Sequence, residues 1–489
     1  MIGPKGSKTA LYFGALCLAV QGSAAQADTL REALVAVYNS NPTLEGARAQ
    51  QRATDEEVPI QRAPGLPSVN TTATYIEFVR QSANAFTAPE RNLGVANQLL
   101  VPLYSGGAVR NGINAAEERV AAGRADLRAT ESAIFNQAVA AYMDVLRFQA
   151  LAQLAENQVE VLRVTFESSS DRFEIGDLTI TDVAQARSRL ALAQGDLRGA
   201  LSNLINARET YIRIVGDAPT NLQPPPPLPN LPDDVGTAVV VALDNNPDLI
   251  AAKERAQAAG FDYEVAGSGR LPRLSAFANA DYSNFFGTLG GFGQNLVQAE
   301  VTGNVGLRLT IPLFQGGLPA ARQRQAGARE TAALEQVIAI ERDVISQVRS
   351  AYASWQAALA VIESSLAAVE AAELSLEGVR AENSIGNRTV LDVLNAEQEL
   401  LSARAQLVTA RRNAYVAGFS LLAAMGRAEA RDLNLDTGGP LYDPTVNYER
   451  VRDRIWDWDR DPEPVPESSR TVDIPPADAT IGPVLEPYE

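Results

Sequence analysis

Asp392 and Asn395 stand three residues apart in a stretch that reads as helix, so their side chains share a face. Two chemistries are open to such a carboxylate. It can stabilise the start of its helix, or, packed against like charges, it can attract cations while its own pKa rises. Little else in the chain is equipped for reaction. Histidine is absent, which removes the commonest general base and the commonest metal ligand. The only cysteine is Cys17. No P-loop or dinucleotide fingerprint occurs. Gly106-Gly107 and Gly316-Gly317 each follow a strand pattern and open a helical one, as a phosphate loop does. They lack its lysine and spacing and read as strand-to-helix turns. The sequence therefore argues against an enzyme and implies no cofactor and no metal.

The N-terminus reads as an export signal. Lys5 and Lys8 precede an apolar run from Leu11 to Val20, and Ala25-Gln26-Ala27 completes an A-x-A cleavage pattern. Residues 1–27 are assigned to this leader. Cys17 follows Leu16, where lipid attachment needs a small residue, so a lipoprotein is not expected. Loss of Lys5 and Lys8 leaves 40 of the 42 basic residues against 59 acidic ones, a net charge of −19. A chain this acidic does not bind nucleic acid through a general positive field. No later stretch is long and apolar enough for a transmembrane helix. Any membrane crossing must therefore use strands.

The elements that position Asp392 come in two copies. Asn41-Pro42 is echoed by Asn246-Pro247, and Val101-Pro102-Leu103 by Ile311-Pro312-Leu313. Ile175-Gly176, Thr179 and Asp182 are echoed by Ile385-Gly386, Thr389 and Asp392, and Gly216 by Gly426. Repeat 1 spans 28–223, a proline-rich linker 224–232, and repeat 2 233–435. Each repeat opens with a helix, about 29–60 and 235–266. A strand pair follows, about 67–79 and 92–104, then 274–282 and 301–311, with loops near 81–90 and 286–297. Val301, Gly303, Val305, Leu307 and Leu309 alternate with Thr302, Asn304, Gly306 and Arg308, giving one apolar and one polar face. Long helices are expected at 107–173 and 318–383, approaching 100 Å at about 1.5 Å per residue. Turns at Gly176 and Gly386 send shorter helices back to about 215 and 425. The tail, 436–489, is rich in proline and acids and reads as disordered or draped over the surface.

Two strands per repeat give four, too few to close a barrel or to satisfy their own edges in lipid. Oligomerisation is the physical remedy, and a trimer would supply twelve strands, an even number within the known range. The segment Gly386-Asn387-Arg388-Thr389-Val390-Leu391-Asp392-Val393-Leu394-Asn395, with its first-repeat partner Ile175 to Val183, resembles the hairpin turns of the TolC family. The matched features run in family order through nearly all of residues 28–430. The resemblance implies a mainly α protein with β: a homotrimeric outer-membrane β-barrel of four strands per protomer, in contact with outer-membrane lipid and continuous with a long periplasmic α-helical barrel. It implies a passive duct that opens when a periplasmic adaptor and an inner-membrane ABC or proton-driven transporter dock at its tip.

The same resemblance assigns roles at the tip. Asp392 and Asn395 match the pore constriction, where the family usually has two aspartates, so one carboxylate ring and a weaker cation preference are expected. Arg388 matches an arginine that ties one hairpin to the next in the closed state, with Thr181 and Asp182 as its expected partners. A tyrosine of that lock is replaced by Asn383. Ile175, Gly176, Leu178, Ile385 and Gly386 match the residues gripped by adaptor hairpins. The competing reading, a periplasmic coiled-coil scaffold, accounts for the helices and the leader but not for the amphipathic strand pairs.

Overall fold

The computed structural model describes residues 29–81, 88–290, 296–438 and 440–482. The leader, with Cys17, lies outside the described residues. Repeat 1 comprises α1 (Leu30–Ser40), α2 (Pro42–Asp55), α3 (Glu57–Arg62), β1 (Ser68–Glu77), β2 (Arg91–Tyr104), α4 (Ala108–Glu174) and α5 (Ile180–Val215). Repeat 2 comprises α6 (Val235–Asn245), α7 (Pro247–Gly267), β3 (Arg273–Asn284), β4 (Ala299–Thr310), α8 (Leu318–Ser384) and α9 (Val390–Ala424). A short helix, α10 (Pro444–Val451), lies in the tail.

The first helix expected in each repeat is broken, and for the same reason. Asn41 and Asn246 adopt extended backbone angles, and each is followed by proline at the first helical position. The Asn41 side-chain oxygen accepts from the amides of Thr43 and Leu44, and that of Asn246 from Asp248 and Leu249. Their amide nitrogens donate across the repeat to the last turn of the return helix. Asn41 reaches the Ile214 carbonyl at 2.9 Å, and Asn246 the Ala424 carbonyl at 3.0 Å. The echoed Asn-Pro pair thus starts one helix and ties it to the end of another.

The four strands form one antiparallel sheet in sequence order, β2 pairing with β3 across the repeat boundary. The register separates the two faces. Val69, Leu99, Ala278 and Val305 form one cross-strand row, and the next row is Asn70, Gln98, Asn279 and Asn304. Val301, Val305, Leu307 and Leu309 on β4 are all exposed, as is Val69 on β1. Among the described residues neither face is covered, and β1 and β4 have free edges.

The long helices pack side by side. α4 contacts α5, α7, α9 and the α2–α3 segment, while α8 contacts α9, α7 and α6. α4 buries twenty-one residues but α8, of equal length, only five. Among the described residues, one whole side of α8 is therefore without a neighbour. The main apolar core lies where α1, α4 and α5 meet, around Phe135, Tyr142, Leu204 and Tyr211. Three tyrosine hydroxyls pin the segment between repeats: Tyr142 donates to the Gln223 carbonyl, Tyr415 to Pro226 and Tyr352 to Asp233.

Residues 440–482 of the tail are draped over repeat 1 and held by specific bonds. Asn447 donates to Asp55 at 2.7 Å, and Tyr442 lies under the Arg48 guanidinium. Arg208 donates to both the carboxylate and the carbonyl of Asp478 and to the Thr480 carbonyl. The tail backbone donates too, the Tyr442 amide to the Tyr38 hydroxyl and the Ala477 amide to the Glu209 carboxylate.

Candidate functional site

The two hairpin turns are built alike. α4 and α8 end just before Gly176 and Gly386, whose φ angles are +82° and +81°. A Cβ at either would meet nothing within 4 Å, so the backbone angle and not lack of space requires glycine. The returning helices then start on matching capping boxes. Asp182 accepts from the Thr179 amide at 3.0 Å while Thr179 accepts from the Asp182 amide. Asp392 and Thr389 do the same, at 2.9 Å and 3.2 Å. Hydrogen bonds from the threonine hydroxyl, then from its backbone amide, hold both carboxyls below the usual carboxylate range. The raised pKa expected of a packed carboxylate ring is thus not the direction within one chain, because these bonds favour the charged form. The echoed T-x-x-D is first a helix start.

Each turn is also closed by an ion pair of its own. Arg172 meets Asp177 at 2.7 Å, and Arg388 donates to Glu382 at 2.7 Å. Arg172 and Glu382 occupy equivalent places in the two repeats, with the charge order reversed. Asn383 completes the second turn by donating to the Arg388 carbonyl at 2.8 Å. The expected tie from Arg388 to Thr181 and Asp182 is therefore not made within the chain. Glu382 is the carboxylate at hand on Arg388's own turn, and Asp182 is engaged by Thr179.

The hairpins are joined by the Arg412–Asp144 pair between α9 and α4 and, nearer the tips, by a second polar contact. Arg189 on α5 donates to the Asn395 side-chain oxygen on α9 at 3.0 Å. Nothing local marks Arg189 in the sequence, since its partner is 206 residues away and neither falls at an echoed position. Nearby, Leu162 and Ala193 of the first hairpin pack on Val390 and Leu394 of α9. Leu178 packs against this cluster, so it turns inward. Ile175 and Ile385 are instead 81% and 71% exposed at the two tips. Among the described residues no group of three or more Asp, Glu, His or Cys is placed to hold a metal, and no helix is long and apolar enough to cross a membrane.

The fold places an amphipathic four-stranded sheet beside two paired helical hairpins. The sequence profile described as "Outer membrane efflux protein" matches residues 19–217 and 238–427. The chain belongs to that family. The outer membrane efflux protein BepC of Brucella suis biovar 1 (strain 1330) is 32% identical over 434 residues, covering 88% of this chain and 92% of BepC. The outer membrane protein TolC of Escherichia coli (strain K12) is 27% identical over 432 residues, covering 86% of each chain. The fold matches the outer membrane protein VceC of Vibrio cholerae with a TM-score of 0.69 at 23% identity, over 81% of this chain and 96% of VceC. The protein is an outer-membrane duct of efflux or secretion systems that extends into the periplasm, and its family is one of passive channels.

Proposed function

We propose that three copies of this chain close into one duct, with a twelve-stranded barrel in the outer membrane above a tube of helical hairpins. The observation that carries this reading is the pair of open sides. Among the described residues, β1 and β4 have unpaired edges in an amphipathic sheet, and α8 has no neighbour on one side. Unpaired strand edges cannot be left in lipid, and a closed ring removes both defects together. Three copies bring the strand count to an even twelve.

In this ring Asp392 and Asn395 line the constriction, giving one carboxylate ring. Arg388, half-exposed and paired with Glu382, has the reach to exchange that partner for Thr181 and Asp182 on an adjacent hairpin when the tips are closed. Ile175, Gly176, Ile385 and Gly386 form the face that a periplasmic adaptor grips, with Leu178 behind it. An inner-membrane transporter, ABC or proton-driven, supplies energy and selects the cargo. The test is to extract the outer membrane in detergent and insert the purified protein into planar bilayers. A heat-modifiable trimer that conducts ions supports the reading. A soluble, non-conducting periplasmic protein would overturn it in favour of a scaffold.

A further inference from the structure

At the tips, each hairpin turn spends its charged residues on itself. Arg172–Asp177 closes the first and Arg388–Glu382 the second. Arg189 is different. It leaves its own helix and reaches Asn395 on α9, and α5 and α9 otherwise meet along only a short seam. The apolar part of that seam, Leu162 and Ala193 against Val390 and Leu394, is small. A cavity of about 180 Å³ opens beside it, lined by Arg189, Leu192, Asp196, Leu394, Gln398 and Leu401. The seam near the tips is thus incompletely filled, whereas farther along α9 shares a packed core and the Arg412–Asp144 pair with α4.

We infer that Arg189 is the positioning residue that holds the two hairpin tips of one subunit together, acting through Asn395. The inference rests on the duct reading above and deepens it. Asn395 accepts from Arg189 and is neutral, so it occupies the constriction without adding charge there. An aspartate at 395 would turn the same contact into a charge-assisted pair and tighten it. The neutral asparagine makes the tie weaker and more readily opened. The tie joins hairpins within one subunit, whereas the proposed Arg388 lock joins hairpins across the ring, so loosening one leaves the other in place.

Single-channel conductance in planar bilayers tests this, with heat-modifiability confirming assembly of each variant. Arg189→Ala and Asn395→Ala are each expected to raise conductance at least twofold, and the double variant no further than either alone. Arg189→Lys, which can still donate to Asn395, should fall back toward the wild type. Asn395→Asp should hold conductance at or below wild type in the presence of Arg189. Arg388→Ser, if it too raises conductance, should add to Arg189→Ala. Cys17 is the chain's only cysteine, which permits an independent readout. Cysteines placed at 189 and 395 and bridged by a short reducible bis-thiol reagent should lower conductance until reductant is added. Wild-type conductance in assembled Arg189→Ala, or equal and additive effects of Arg189→Ala and Asn395→Ala, would overturn the inference. A wild type that assembles no channel would instead remove the duct reading on which it stands.

Discussion

Gly216 and Gly426 are repeat equivalents that end α5 and follow α9, and both lie in the left-handed region, at φ +88° and +69°. Replacing either by alanine costs about 1–2 kcal/mol for the backbone angle alone. The gain from a less flexible unfolded chain, about 0.4–1 kcal/mol, applies to both and cancels in the comparison. The surroundings differ. A Cβ on Gly216 would meet the Ser40 and Ser469 hydroxyls at 3.4 Å, an ordinary contact with side chains that can turn away. A Cβ on Gly426 would lie 2.6 Å from the Asn245 carbonyl carbon and 3.0 Å from the Asn246 Cα. That backbone cannot swing aside, because Asn246 is fixed to the Ala424 carbonyl. Overpacking of this kind adds about 1–3 kcal/mol. Gly426→Ala should therefore lose about 1–3 kcal/mol more than Gly216→Ala. The check is the guanidinium midpoint of the detergent-solubilised protein, followed by circular dichroism, with the slope of the transition compared between variants. If Gly216→Ala costs as much as Gly426→Ala, the argument that backbone contact distinguishes the two repeats is wrong.

Burial pushes the Glu131 carboxyl up to about 7, with Glu429 adding to the rise and the Ala430 amide, Arg48 and Arg431 opposing it. The folded state then holds a proton that the unfolded chain releases near 4.5. Stability should be greatest at and below about pH 4.5 from this group and fall by about 3 kcal/mol as pH rises through 7; the pH dependence of the unfolding midpoint should flatten in Glu131→Gln. Arg208→Ala removes the bonds to Asp478 and Thr480, and trypsin should then release the segment beyond Arg470 several-fold faster, while an unchanged cleavage rate would show that other contacts hold the tail.

What was legible in the sequence is what is written locally or twice. The period-two alternation of Val301 to Leu309 identified β4 and its apolar face, because a strand's two faces are set by its own residues. The glycines at 176 and 386 located both turns, since left-handed backbone leaves a mark in residue type. The Asn-Pro echo is visible in the sequence, but the pattern around it reads as one helix. Its meaning depends on the Ile214 and Ala424 carbonyls, which are brought to it only by the fold. Arg388 lies on its turn, and its partner within the chain is Glu382, a residue whose first-repeat counterpart is the oppositely charged Arg172. Arg189 left no signal, because a single arginine on an exposed helix looks like any other until α9 lies beside it.

The two repeats share their scaffold and differ where the tip could act. The capping boxes, turn glycines and turn-closing ion pairs recur because each hairpin must be built separately, and none of them links one hairpin to the other. Asn395 has Gln185 as its counterpart in repeat 1, and Arg189 has Glu399 in repeat 2. A tie made by both repeats would need an arginine at 399 to face a partner near 185, and a glutamate stands there instead. The Arg189–Asn395 contact is consequently made once per chain, on one of the two sides of each hairpin. A ring of three such chains would alternate tied seams within subunits with seams between subunits that lack this bond. Opening by loosening alternate seams preserves the threefold arrangement and leaves every hairpin turn intact. In the proposed ring, this asymmetry between two otherwise similar repeats would give the hairpins a defined way to part.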